Sequence, residues 1–260
     1  MSEQASAAPY HRYKAIAFDV GGTVFDWHGT VAPAVADALP GVDARHFTNI
    51  WRRTMFELLA KVRAGSLPRY NSDGLHRLAL DHVMPQFPDA FLNEREKDEL
   101  ATVWHVLKAW PDAPAAIERL RSRYTVTVLT VLSWRSVVAS SKAAGISWDG
   151  ILSCEFLPAY KPEKEAYLAS PRLIGCAPGE VIMAACHAEQ DLDPAMRAGL
   201  AAAYVDRPDE YGKTREIQLP GKPQYVCEAP DYATYADMLV DPDYLPVSYT
   251  HLTLPTNGTV

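Results

Sequence analysis

The chain has 260 residues, 48% of them hydrophobic and 22% charged, enough to bury one sizeable α/β core with a smaller partner. A net charge of -7 argues against nucleic acid or an anionic membrane surface as a non-specific partner. It leaves a small anionic substrate open, because a few local cations reverse the potential inside a cleft.

The opening segment, MSEQASAAPYHRYK, lacks the apolar stretch of a signal peptide, and no apolar run is long enough to span a bilayer. A cytoplasmic protein is expected. Cys154, Cys176, Cys186 and Cys227 form no CxxC pair and no zinc-type spacing with histidine, which suits reduced thiols.

The first expected strand, 14–20, carries Asp19 near its end, followed by Gly21, Gly22 and Thr23. Open parallel sheets bind ligands beyond the carboxyl ends of their strands, so this acid would face a crevice. The glycines let the chain turn sharply and bare backbone N–H groups, and Thr23 can hydrogen-bond locally. Asp19 is thus either presented for chemistry or caps its own loop.

Residues 27–110 show amphipathic helices and no convincing strand. In IWRRTMFELLAKVRA, the residues Trp51, Met55, Leu58, Leu59 and Val62 share one helical face, and GLHRLALDHVM forms a second such segment. The stretch reads as a helical cap inserted between the first and second core strands. Arg52 within it is a solvated helix charge or a cation aimed at a ligand, and His28 reads as structural.

Beyond it, strands and helices alternate. Asp112 and Pro114 open a helix through AAIERLRSR. Strand 124–131 delivers Thr130, with Ser133 just beyond, and SWRSVVASSKAAG stops at Gly145. Strand 151–154 leads to AYKPEKEAY, with Lys161 and Tyr167. Strand 181–185 leads to His187 and Asp191, and DPAMRAG runs from Asp193 and Pro194 to Gly199. Strand 201–205 and a weaker 224–227 follow. Such alternation marks an α/β fold with a doubly wound parallel sheet. The expected core is 11–26 plus 111–241, with 27–110 as cap. Residues 247–260 begin VSYTHLTLPTN, which resembles a translated sequencing adapter, so an appended tail is expected there.

An acid, a hydroxyl, a lysine and an acid thus follow successive strands. Taken singly, Lys161 could be a surface lysine before a turn proline, Asp191 a helix-entry acid and His187 a loop histidine. Taken in order, DVGGT, Thr130, the Lys161–Pro162 pair and the late Asp191 resemble the haloacid dehalogenase superfamily over residues 14–239. Phosphatases of that superfamily use a second acid where Gly21 stands here. Loss of a positioned general acid costs about 10²–10⁴ in rate, which counts against that chemistry.

NIWRR and AYKPEKEAY resemble the (S)-2-haloacid dehalogenase (type II) branch. The resemblance implies a Rossmann-like core under a cap, and hydrolysis of short 2-haloacids to 2-hydroxyacids through an ester on Asp19. It makes Asp19, Lys161 and Asp191 catalytic, with Lys161 keeping Asp19 charged: a cation within about 4–6 Å lowers a carboxylate's pKa by ~1–3 units. It assigns substrate contacts to Gly21, Gly22, Thr23, Arg52, Thr130, Ser133, Tyr167 and His187. It implies no metal, no cofactor and a homodimer.

The best-known members carry Tyr at the place of Gly21 and Asn at those of Val131 and His187. Their spacing before the late Asp is one residue shorter. Two other readings stay open: another hydrolase of the superfamily, phosphatase- or phosphonatase-like and Mg²⁺-dependent, or a catalytically impaired binding protein with this fold.

Overall fold

The computed structural model describes residues 10–241, so the tail expected at 247–260 lies outside the described residues. Six parallel strands form the main sheet: β1 (Ala15–Phe18), β4 (Thr125–Thr130), β5 (Gly150–Ser153), β6 (Val181–Ala185), β7 (Ala201–Val205) and β8 (Cys227–Ala229). Their order is β5-β4-β1-β6-β7-β8. The first strand is apolar and fully buried, as a central strand covered on both faces must be. Ala15 pairs with both Thr125 and Val181, and Phe18 with both Val128 and Ala184. That register brings the carboxyl ends of β1, β4 and β6 to one edge, where the chain switches sides of β1.

The weak strand expected at 224–227 forms later, at Cys227–Ala229, with its backbone paired to β7. Between β1 and β4, a second small sheet pairs β2 (Phe25–Asp26) with β3 (Lys108–Ala109) in antiparallel fashion. It corrects the expectation of a strandless segment. Two-residue strands have no alternation to read, and their pairing joins chain positions far apart.

That ribbon brackets helices α1 (Trp27–Ala38), α2 (Ala44–Arg63), α3 (Ser72–Val83) and α4 (Glu94–Ala101). In α2, Trp51, Met55, Leu58, Leu59 and Val62 are buried, as the helical spacing requires. They join one apolar cluster with Trp27 and Trp104, and with Phe18 and Val128 of the sheet. A second cluster, including Ala17, Leu129, Met183 and Tyr204, packs the opposite sheet face.

Helix α5 (Ala113–Arg121) follows Asp112, whose side chain makes no capping bond, contrary to the sequence reading. Its carboxylate instead accepts from Arg207 Nη1 and the Tyr232 N–H, at 2.9 and 2.8 Å. Helix α6 (Trp134–Ala144) stops at Gly145, whose φ of +69° is left-handed. The sheet is completed by α7 (Lys164–Tyr167), α8 (Ala169–Ile174), α9 (Asp193–Arg197) and α10 (Tyr232–Val240). All four cysteines are unpaired. Among the described residues, no helix is long and apolar enough to cross a membrane.

Candidate active site

The carboxyl ends of β1, β4 and β6 open onto a cavity of about 370 Å³. Asp19, Gly21, Thr130, Lys161, His187 and Asp191 line it from the sheet side, and Arg52, Phe56, Leu59 and Arg63 from α2. Seven of the sequence-derived residues therefore meet in one space: Asp19, Gly21, Arg52, Thr130, Lys161, His187 and Asp191.

Asp19 is 5% exposed and both its oxygens are held. Oδ1 accepts from Lys161 Nζ at 2.7 Å, and Oδ2 from the Thr23 hydroxyl at 2.7 Å. Lys161, reached from the loop after β5, also donates to Asp191 Oδ1 at 2.6 Å. One ammonium thus bridges two buried carboxylates.

Burial pushes the Asp19 carboxyl up from its ordinary range, and the neighbouring Asp191 charge adds to this. The Lys161 ammonium pulls the other way without cancelling burial, so the expected downward shift is corrected. Burial also opposes ionised Asp191, but Lys161, then His187, outweigh it and hold Asp191 at about 2. Lys161 itself is carried upward: burial works against its charge, and the attraction of Asp19 and Asp191 prevails.

His187 and Asp191 lie at the two ends of a π turn over Ala188–Leu192, in which Leu192 N–H donates to the His187 carbonyl at 3.3 Å. A π turn holds one residue more than an α turn, which accommodates the longer spacing and leaves both side chains on the cavity. His187 Nδ1 lies 3.7 Å from Asp191 Oδ2, and Nε2 lies 3.0 Å from Glu210 Oε2. Burial disfavours the imidazolium, yet the Cys186 sulfur, Glu210 and Asp191 together raise His187 well above an ordinary histidine.

Arg52 is not a solvated helix charge. It is 7% exposed, its guanidinium lies over Phe56, Trp27 and Trp104 at 4.6, 5.4 and 5.6 Å, and Nη1 meets no acceptor among the described residues. Burial lowers its pKa, against the attraction of Glu210 and Asp19. Gly21 makes room for it: a Cβ there would sit 3.0 Å from Arg52 Nη2.

Four expected contacts fall outside the cavity wall. Gly22, at φ +98°, turns the chain, and a Cβ there would lie 2.2 Å from Glu210 Oε1. Thr23 spends its hydroxyl on Asp19. Ser133 caps α6, accepting from Ser136 N–H at 3.1 Å, while its own N–H donates to Ser72 Oγ at 2.7 Å. Tyr167 is buried behind the loop, donating to the Gln190 carbonyl at 3.0 Å.

Sequence reasoning missed Glu210 and Trp27. Glu210 Oε1 accepts the Trp27 indole N–H at 3.0 Å, in a slot that Gly22 leaves open. Its one sequence signal is an acid in the loop after a strand, as with Asp191.

Two groups bring three potential metal donors within 4.8 Å: Asp19, His187 and Asp191, and Cys186, His187 and Glu210. In the first, the Lys161 ammonium already bridges the carboxylates. In the second, Cys186 Sγ lies 3.5 Å from Nδ1 and 3.8 Å from Nε2, hence beside the ring and off either nitrogen's lone-pair axis. Neither arrangement offers open, converging donors.

A family model described as haloacid dehalogenase-like hydrolase matches residues 13–184. The chain is similar to (S)-2-haloacid dehalogenase 4A of Burkholderia cepacia, 27% identical over 206 residues, 76% of this chain and 86% of that protein. A solved structure of a defluorinating L-2-haloacid dehalogenase is 33% identical with a TM-score of 0.81, covering 87% of this chain and 95% of that one. A solved L-2-haloacid dehalogenase is 30% identical with a TM-score of 0.79, covering 87% and 98%.

Proposed function

Because the chain belongs to the haloacid dehalogenase-like hydrolases, we propose that it is an (S)-2-haloacid dehalogenase acting on short 2-haloacids through Asp19. The observation that carries this reading is the Asp19–Lys161–Asp191 triad facing the Arg52 guanidinium across one cavity.

An Asp19 oxygen attacks the α-carbon from the side opposite the halogen. The C–O bond forms as the carbon–halogen bond breaks, and the halide leaves with the bonding pair. Arg52, walled by aromatic rings and with no carboxylate in contact among the described residues, suits the departing anion or the substrate carboxylate. Water then attacks Cγ of the Asp19 ester, the acyl C–O bond breaks, and the 2-hydroxyacid leaves with inverted configuration. The water oxygen remains in the Asp19 carboxylate, one of its protons passes to the departing alkoxide oxygen and the other goes to solvent. Lys161 and Thr23 fix the carboxylate throughout, so its orientation is set before substrate arrives.

A phosphatase needs an acid at position 21, and that space is filled instead by the approach of Arg52. In this reading, residues 27–110 act as cap over a core of 11–26 and 111–241. The reading extends to a small 2-haloacid as substrate, to a cytoplasmic location and, as the resemblance implies, to a homodimer.

Chloride release from (S)- and (R)-2-chloropropionate, with chelator present, tests it. Release from the (S) enantiomer alone, giving (R)-lactate, is expected, with Asp19→Asn losing about 10⁴-fold or more in kcat. Absence of chloride release, with Mg²⁺-dependent release of phosphate from phosphate esters, would overturn it.

A further inference from the structure

Trp27, Glu210, His187 and Asp191 form a continuous line, buried except at the half-buried His187, that the reaction above leaves partly unused. Asp191 keeps Oδ1 on Lys161 at 2.6 Å and turns Oδ2 to His187 Nδ1 at 3.7 Å. Across the ring, Nε2 meets Glu210 Oε2 at 3.0 Å, and Glu210 Oε1 accepts from Trp27 at 3.0 Å. Nε2 is thus within hydrogen-bond distance of one carboxylate and Nδ1 within ion-pair distance of a second. A neutral imidazole gains one hydrogen bond here, whereas the cation is attracted to both acids.

Glu210 is 5% exposed, and His187 is the one basic side chain within salt-bridge distance of it among the described residues. A buried carboxylate without a cation is strongly unfavourable, so each charge of this pair requires the other. The slot is specific as well, since Gly22 leaves no side chain where Glu210 sits.

We propose that Glu210 is a positioning residue for the dehalogenation: it holds the His187 imidazolium against Asp191, the carboxylate that shares Lys161 with the nucleophile Asp19. The inference rests on the dehalogenase reading above. With the imidazolium on one oxygen, Asp191 has a second cation and draws less on Lys161, which stays on Asp19. Without it, Lys161 is the sole cation for Asp191 and is pulled from the nucleophile.

The groups facing His187 are Cys186 and Asp191 from its own strand end and turn, and Glu210 and Tyr211 from the segment after β7. Asp19, Lys161 and Arg52 share its cavity. Of these, Glu210 can lose its charge while keeping an acceptor for Trp27, by Glu210→Gln.

The experiment compares pH profiles of kcat/KM for wild type, Glu210→Gln and Glu210→Asp, with ¹⁵N-histidine NMR titration of each. In Glu210→Gln, an alkaline limb at least one pH unit below that of wild type is expected, so activity at high pH falls about ten-fold further than at low pH. Glu210→Asp should restore part of the difference. The His187 signal, assigned by its loss in His187→Gln, should keep the doubly protonated signature to higher pH in wild type than in Glu210→Gln.

An equal loss at every pH in Glu210→Gln marks a merely structural role and overturns the inference, as does an unchanged profile. If wild type releases no chloride, the dehalogenase reading fails and with it the catalytic role. The NMR titration then still decides whether Glu210 holds the imidazolium.

Discussion

Lys161 has three N–H donors and spends two of them on carboxylates, within a site where neither acid has other strong compensation from water. Such a buried triad contributes little net stability, yet removing one member leaves a charge uncompensated. Its acids respond to pH in opposite senses. Asp191 sits at about 2 in the fold, below the ~3.9 of an unfolded aspartate, so its contribution is present above ~3.9 and lost as pH falls toward that lower value. Asp19, raised by burial, opposes folding as pH rises from ~3.9 through its folded value. Urea unfolding of wild type and Asp191→Asn reads the first effect, less what Asp19 gains when its neighbour's charge is gone. Wild type should lead by about 2–3 kcal/mol more near pH 6 than near pH 2, and a gap independent of pH would contradict the pairing. The residue types of this triad and their order were legible in the sequence. The direction of the Asp19 shift was not, because it depends on how completely the site excludes water.

At the scale of elements, Asp19, Thr130 and His187 reach the cavity from the ends of strands, whereas Arg52 reaches it from the middle of α2. Ser133 shows how position after a strand misleads: it lies just past β4, as a substrate contact would, yet its hydroxyl is spent on the first turn of α6. Ser133→Ala should therefore lower stability by about 1 kcal/mol, read as a drop in thermal midpoint, and Ser133→Asp should recover much of it by capping again. Failure of any capping-competent residue to recover stability would argue that Ser133 acts through its bond to the Ser136 hydroxyl instead. The π turn between His187 and Asp191 is the opposite lesson. The sequence showed only an odd spacing, and the backbone turned that oddity into two side chains on one wall.

At the scale of the whole molecule, the inserted helices and one face of the sheet share an apolar cluster running from Phe18 and Val128 to Trp51 and Trp104. The β2–β3 ribbon ties both ends of the insertion to each other beside the first strand. Units joined through one core unfold together. Calorimetry should show a single transition with equal calorimetric and van't Hoff enthalpies, and two resolved transitions would mean that the helices and sheet are stabilised separately.

The sequence by itself determined the alternation of strands and helices, the buried face of α2 and the order in which Asp19, Thr130, Lys161 and Asp191 leave their strands. These follow from local periodicity, turn chemistry and chain order, all of which are written in neighbouring residues. Only the tertiary structure decided that Arg52 is buried among aromatic rings, that Gly22 opens a slot for Glu210, and that the hydroxyls of Thr23, Ser133 and Tyr167 bond to Asp19, the first turn of α6 and the Gln190 carbonyl. Trp27 and Glu210 stand 183 positions apart, and nothing local to either encodes their meeting. Packing sets it, through the volume that each absent or present side chain leaves.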